Sequence, residues 1–216
     1  MEQEDLGHLR KSYQKGALNI DDIQNDPMIF FKNWFDQANE TQTIEEANAM
    51  SIATLGADGF PKARVVLLKQ FSSEGFVFYT NYKSQKGQAI EAYSKVGLTF
   101  FWPAMERQII IKGVAQKVSE ETSDAYFYSR PIGSQLGAIV SPQSQPIDDR
   151  AFLENRLQKF QVQYEQEKIK RPDYWGGFLV VPHSYEFWQG RPNRLHDRME
   201  FSLNEKKIWT TTRLAP

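Results

Sequence analysis

AMSIATLGADGFPKARVVLLKQFSSEGFVFYTN, residues 49–81, decides the fold class. An alternating run over 49–55 meets a second apolar-rich run over 62–71 across Gly56-Ala57-Asp58-Gly59, and a third follows over 75–80. Outward from this stretch, a helix from Ser84 to about residue 94 separates it from strands expected over 96–102 and 108–118. Further strands are expected over 177–181, 185–189, 194–201 and 207–212. Short turns between strands this close favour an antiparallel barrel over alternating βαβ units. Before the strands, Asp26 caps a helix over 28–39 with Pro27 in its first turn, and Phe30, Phe31, Trp34 and Phe35 form its apolar stripe. Helices over 119–130, 133–140 and 148–168 form an insert, the last with Phe152, Leu153, Leu157, Phe160 and Tyr164 on one side. Residues 1–26 are expected as a mobile arm and 27–216 as one domain, mainly β with helices.

The chain has 216 residues, 40% apolar and 25% charged, as in a globular protein and unlike a disordered one. Aromatic residues are plentiful at 15 Phe, 9 Tyr and 5 Trp, which suits strands and sites for flat ligands. Lys and Arg number 26 against 27 Asp and Glu, so charge gives no case for nucleic acid or a membrane surface. With no cysteine, disulfides, thiol nucleophiles and thiolate-bound metals are excluded, and with His8, His183 and His196 as the three histidines no His-rich metal site is expected. The polar opening residues and the lack of a long apolar run lead us to expect a cytoplasmic protein without membrane association. Neither GxGxxG, a P-loop, HExxH nor GxSxG occurs, and Ser12-Tyr13-Gln14-Lys15 matches SxxK only loosely.

Three constellations carry chemistry. In Arg194-Leu195-His196-Asp197-Arg198, strand alternation would send Arg194, His196 and Arg198 to one face, a cationic set that suits an anionic ligand; Trp188 precedes it. Tyr126 and Arg130 are spaced i, i+4 on an expected helix, and Pro131 turns the chain so that Ser134 can join them as a phosphate clamp. Arg64 and Lys69 bracket an apolar strand, and their spacing lets them share a site only across a bulge or around a wrapped ligand. Thr80, Ser84 and Lys86 at a helix start suit a second phosphate. Glu106, Arg107, Gln108, Gln143 and Ser144 add polar groups of the kind that reads a ring edge. Two phosphate candidates, many rings and no metal set suggest a phosphorylated cofactor and a phosphorylated substrate.

Taken together these residues resemble the pyridoxamine (pyridoxine) 5'-phosphate oxidase family. The resemblance runs from HLRKSY to the terminal RLAP, through RVVLLK, FYTN, ERQ, YFYSRP, WGGF, FWQG and RLHDR. It implies a homodimeric split β-barrel binding FMN where the subunits meet. The implied FMN contacts are Arg64, Val65, Val66, Leu67, Leu68, Lys69, Tyr79, Thr80, Lys86 and Gln108, with Gln143, Ser144, Trp188 and Arg198 from the partner subunit. The substrate phosphate falls to Lys69, Tyr126, Arg130 and Ser134. Arg194, Leu195 and His196 lie at the substrate, with Arg194 and His196 in the catalytic role. Arg10 and Tyr13 resemble arm residues that close over the site. Gln85 stands where the family commonly has an arginine, which removes one charge from the FMN phosphate.

The implied reaction oxidises pyridoxamine and pyridoxine 5'-phosphate to pyridoxal 5'-phosphate. Flavin N5 takes a hydride from C4', and O2 reoxidises the flavin to give hydrogen peroxide. The alternative is a non-catalytic split-barrel protein binding FMN or pyridoxal phosphate, which would release no peroxide.

Overall fold

Asp26 opens the first helix, α1 (Pro27–Glu40), by accepting the Met28 N–H at 2.8 Å, and Phe30, Phe31, Trp34 and Ala38 form its buried stripe. The computed structural model describes residues 4–19, 23–164 and 168–216. Among them, nine strands follow α1: β1 (Ala49–Leu55), β2 (Pro61–Leu67), β3 (Gln70–Ser72), β4 (Gly75–Asn81), β5 (Lys95–Trp102), β6 (Arg107–Lys117), β7 (Trp175–Gln189), β8 (Asp197–Leu203) and β9 (Trp209–Leu214). They hydrogen-bond in the order β2-β1-β5-β6-β7-β4-β3, with β8 and β9 continuing from β7. The β3/β4, β4/β7, β7/β8 and β8/β9 pairs are antiparallel. The remaining helices are α2 (Gln85–Ala92), α3 (Glu120–Ser129), α4 (Ile132–Val140) and α5 (Arg150–Tyr164). None of the described helices is long and apolar enough to cross a membrane.

The structure departs from the sequence reading at four places. The strand expected over 62–71 is two: β2 ends at Leu67, and Lys69 donates its N–H to Val77 of β4, where β3 takes up its pairing. The strands expected on either side of Pro182 are one. The β4 register ends at Val180 and the β8 register begins at Ser184, so proline's missing N–H falls between them. The strand expected from 194 begins only at Asp197, because Pro192–Arg194 is a 3₁₀ turn in which Asn193 and Arg194 have φ of 57° and 61°. Finally, α5 begins at Arg150 where 148 was expected, is described as far as Tyr164, and buries no residue fully, although Phe160 and Tyr164 lean on Phe127, Ile139 and Trp175. The expected extension to 168 runs through residues outside those described.

Contacts divide the chain into two compact units, Met1–Ala49 with Leu98–Ile111 and His183–Pro216, and Met50–Gly97 with Lys112–Pro182. The core of the first is aromatic: Phe187 lies 4.4 Å from Phe30 and 5.4 Å from Trp34, and Phe31 lies 5.2 Å from Phe100. Residues of the expected arm belong to it too. Leu18 is buried, and Arg213 donates to its carbonyl at 2.9 Å. In the second unit β4 and β7 bury Phe76, Phe78, Phe178 and Val180, while α3 and α4 pack Phe127 and Ile139 against Trp175.

Candidate active site

The second unit holds an open cavity of about 680 Å³, within the range of small-molecule sites. Its wall begins where β2 gives way to β3, so that Val65, Val66, Leu67 and Lys69 all reach it. The break at Leu68 brings Lys69 to the cavity but does not unite it there with Arg64, which is absent from the lining. Arg64 instead turns back to donate to the Ile52 carbonyl at 3.2 Å and the Thr54 hydroxyl at 2.7 Å. Leu68 is buried, off the lining.

Opposite stand Tyr126, Arg130 and Ser134. The geometry behind this grouping differs from the expected helical i, i+4 face. Helix α3 stops at Ser129, and Arg130 is its extended C-cap, with φ −75° and ψ 150°. Pro131 then starts α4, and Gln135 donates to the Arg130 carbonyl at 2.8 Å, which fixes the corner. The Arg130 guanidinium lies 4.7 Å above the Trp175 ring. Its buried Nη1 has no hydrogen-bond partner, and neither has the buried Tyr79 hydroxyl. Burial lowers the Arg130 pKa, with Tyr126 acting in the opposite direction. A buried guanidinium nitrogen without an acceptor is costly unless an anion arrives.

Lys86 supplies the third lining cation. Ser84 caps α2 through the Gly87 N–H, and Lys86 donates to the Thr80 hydroxyl at 3.3 Å. Burial and then the neighbouring Arg64 charge lower the Lys86 pKa. Among the described residues no carboxylate pairs with Lys69, Lys86 or Arg130, so the cavity is a cationic basin. Gln85 accepts from the Lys62 ammonium at 2.6 Å, so a positive charge stands beside this position although its own side chain is neutral. Gln143 lines the same chain's cavity and accepts from Thr80 at 3.3 Å, whereas Ser144, at φ 71°, is exposed.

The first unit carries the other candidates. His196 lies 4.8 Å from Trp188, ring centre to ring centre, and Tyr13 lies 5.7 Å from each of them. The Arg191 N–H donates to His196 Nδ1 at 3.0 Å, which assigns the imidazole proton to Nε2. The expected common face of Arg194, His196 and Arg198 is not formed, because Arg194 and His196 precede the strand. Arg194 and Leu195 are exposed at the turn. Arg198, within β8, makes a two-pronged pair with Glu186 at 2.9 and 3.1 Å and donates to the Ala215 carbonyl. Asp197 accepts from Arg213 and from the Leu18 N–H. Gln108 is half-buried on β6, while Arg107 packs on the Trp34 ring and bonds Gln37 and Gln189.

One residue was beyond the reach of spacing: Trp175, which seats Arg130, is a strand-start tryptophan whose partners are distant in sequence. Glu106, expected among the polar groups at a ring edge, is instead a buried carboxylate at φ 56° that bonds the Gln14 and Lys15 N–H groups and is not among the cavity's lining residues. The positive φ that aims it is invisible in a pattern.

Residues 36–164 match the pyridoxamine 5'-phosphate oxidase family, and residues 175–216 match the pyridoxine 5'-phosphate oxidase C-terminal dimerisation region. The chain is 55% identical to a pyridoxine/pyridoxamine 5'-phosphate oxidase of Flavobacterium johnsoniae, over 98% of this chain and 99% of the relative. It is 49% identical to one from Leptospira interrogans, over 98% of each. Among solved structures it is similar to PhzG from Burkholderia lata in complex with tetrahydrophenazine-1-carboxylic acid. That likeness has a TM-score of 0.84 at 26% identity, over 93% of this chain and 100% of that one.

Proposed function

The chain belongs to the pyridoxamine 5'-phosphate oxidase family, and from that premise we propose that it oxidises pyridoxamine and pyridoxine 5'-phosphate to pyridoxal 5'-phosphate, using FMN and O2 and releasing hydrogen peroxide. It is an oxidoreductase with the family's split β-barrel, mainly β with helices. The observation that carries the reading is the cationic cavity with its orphaned Arg130 Nη1.

In this reading Lys69, Tyr126, Arg130 and Ser134 bind the substrate phosphate. Arg130 contributes a charge-assisted bond from a guanidinium already desolvated and seated on Trp175. Lys86 at the start of α2 and Thr80 near the end of β4 suit the phosphate of FMN, with Arg64 behind them adding field. The segment Val65–Leu67 and the Tyr79 hydroxyl offer edge and face contacts to a flat ring system. FMN, when bound, supplies the hydride acceptor. Arg194 and His196 orient the substrate ring, with the His196 Nε2 proton facing outward from the Arg191 bond. The chain's share of catalysis would then be placement of the substrate and the cofactor and exclusion of water around them.

The match of 175–216 to a dimerisation region supports a homodimer. FMN shared between protomers, with Trp188 and Arg198 from the partner, is part of the proposal, as is a cytoplasmic location. The test is the absorption spectrum of the purified protein, kept anaerobic, before and after pyridoxamine 5'-phosphate is added. Bleaching of flavin bands followed by peroxide release on admitting air supports the reading. Bound flavin that never bleaches would make the protein a carrier.

A further inference from the structure

We propose that Glu106 is a positioning residue that fastens the N-terminal segment against His196 and, through that fastening, sets the affinity for substrate. The substrate half of this rests on the reading of His196 as substrate-facing; the fastening stands on its own geometry. Glu106 occupies the corner between β5 and β6, where the Glu106 N–H returns to the Pro103 carbonyl at 3.2 Å, and the residue is 2% exposed. One oxygen, Oε2, accepts both the Gln14 N–H at 2.8 Å and the Lys15 N–H at 2.9 Å, while Oε1 faces the Lys11 ammonium at 3.4 Å. Its carbonyl meanwhile accepts from the Gly190 N–H at 2.7 Å and from the Gln189 side chain at 3.2 Å. A single residue therefore grips the segment with its carboxylate and the end of β7 with its backbone.

Tyr13 sits between those two grips. Its ring stands edge-on to Trp188 and tilted to His196. It also presses on Gly190, where an added Cβ would come within 2.8 Å of Tyr13 Cγ. Lys11, Ser12, Gln14 and Lys15 are all exposed, so apart from the Tyr13 ring apolar burial does not hold residues 11–15 in place. What holds them is the Tyr13 ring, the Lys15 ammonium on the Ala104 carbonyl, and Glu106. A carboxylate this buried is expensive unless its donors stay in place, so the corner and the segment depend on each other.

The test compares Glu106→Ala, Glu106→Gln, Tyr13→Ala and the Glu106→Ala/Tyr13→Ala double variant, each as FMN-loaded protein. Amide exchange at Gln14 and Lys15 reads the fastening; KM, kcat and flavin content read its consequence. Apparent affinity scales with the docked fraction, so a segment released three-quarters of the time raises KM about fourfold. Glu106→Ala is expected to speed exchange and raise KM by about that factor, with kcat and flavin content little changed. Glu106→Gln, which keeps an acceptor oxygen, falls between it and the wild type. The double variant is expected to match Tyr13→Ala, because Glu106 acts through Tyr13. If Glu106→Ala does not fold, Gln14→Pro removes one donor from the segment side, leaves the corner intact, and is expected to give the same two changes, with exchange read at the Lys15 amide alone. Unchanged exchange in either variant overturns the fastening, and a KM effect that adds to that of Tyr13→Ala overturns the route through Tyr13. Faster exchange with normal KM in Tyr13→Ala overturns the link to substrate and, with it, the substrate-facing reading of His196.

Discussion

Tyr79 of β4 and Tyr126 of α3 lie face to face, their ring centres 3.8 Å apart and their planes 19° from parallel. Trp175 continues the stack at 5.7 Å from the first and 6.2 Å from the second, nearly parallel to both. Burial, and then the Tyr126 and Tyr82 hydroxyls, raise the Tyr79 pKa, so Tyr79 stays a neutral donor at any working pH. The stack is one wall of the cavity and also the seat of Arg130, so its loss should be felt twice. Trp175→Ala is expected to cost about 3–5 kcal/mol of stability, as for other buried tryptophans, and to raise KM for the phosphorylated substrate. Urea unfolding and steady-state kinetics measure the two; a normal KM would show that Arg130 does not need the ring.

Removing the Arg130 side chain tests the clamp directly. A charge-assisted hydrogen bond contributes about 1.5–3 kcal/mol, which corresponds to a KM increase of roughly tenfold or more. Stability should change little or rise, because a buried nitrogen without a partner disappears with the side chain. A KM within twofold of the wild type would dissolve the Tyr126, Arg130 and Ser134 grouping.

Arg194→Ala and His196→Ala should lower turnover while flavin stays bound. Arg194 is exposed at a left-handed turn and, among the described residues, His196 hydrogen-bonds through Nδ1 to the Arg191 N–H; neither is among the residues lining the cavity of the second unit. Flavin loss in proportion to activity would assign the pair to the cofactor instead.

The sequence reading worked where short-range chemistry decides. The alternation of Ala49–Leu55 matches β1 end to end, and Asp26-Pro27 with its aromatic stripe locates α1 within a residue. It faltered where pairing is non-local. Nothing in RVVLLK signals that the chain exchanges neighbours at Leu68, because the partner that draws Lys69 away is Val77. Nor does RLHDR announce that Asn193 and Arg194 adopt positive φ, which removes the two residues from any strand face. Cavity residues were legible as residue types: Lys69, Tyr126, Arg130 and Ser134 do meet in one space. The groups that hold them, Trp175 under Arg130 and Gln135 on its carbonyl, come from distant or buried positions that spacing does not distinguish from core.

Acid should release the N-terminal segment, but only late. Burial disfavours the Glu106 carboxylate, yet the Lys15 and Gln14 N–H groups and Lys11 outweigh it and hold its pKa below the ordinary carboxylate range. A depressed folded-state pKa contributes stability that is fully present above the unfolded value, about 4.3 for glutamate, and is lost as pH falls through the folded value. The charged groups beside it, Lys11, Lys15 and Arg107, are all cations. Protection of the Gln14 and Lys15 amides should therefore persist at pH 5 and collapse only below the usual glutamate range. Loss of protection between pH 6 and 5 would point to a different titrating group.

Dimerisation and FMN binding should be linked. The proposed contacts fall into two sets, one from Val65–Lys69, Thr80 and Lys86 and one from Trp188 and Arg198, and the proposal assigns the second set to the partner subunit. A cofactor bridging protomers binds the dimer better than the monomer. Mass action then requires FMN to stabilise the dimer by about 2.7 kcal/mol at a hundredfold excess over Kd, if isolated monomers bind none. Lys86 is the residue to remove, since its lowered pKa reflects burial beside Arg64 with no carboxylate to offset either charge. Lys86→Ala should weaken FMN and leave the dimer of the apo-protein at least as strong as that of wild-type apo-protein, because the cavity then carries one repelling charge fewer. Sedimentation at dilute protein, with and without FMN, reads both effects: wild-type protein should dissociate more readily without FMN, and the variant should lose that difference. A monomer that retains full FMN affinity would rule out the shared site and return Trp188 and Arg198 to structural roles, the latter already visible in its pair with Glu186.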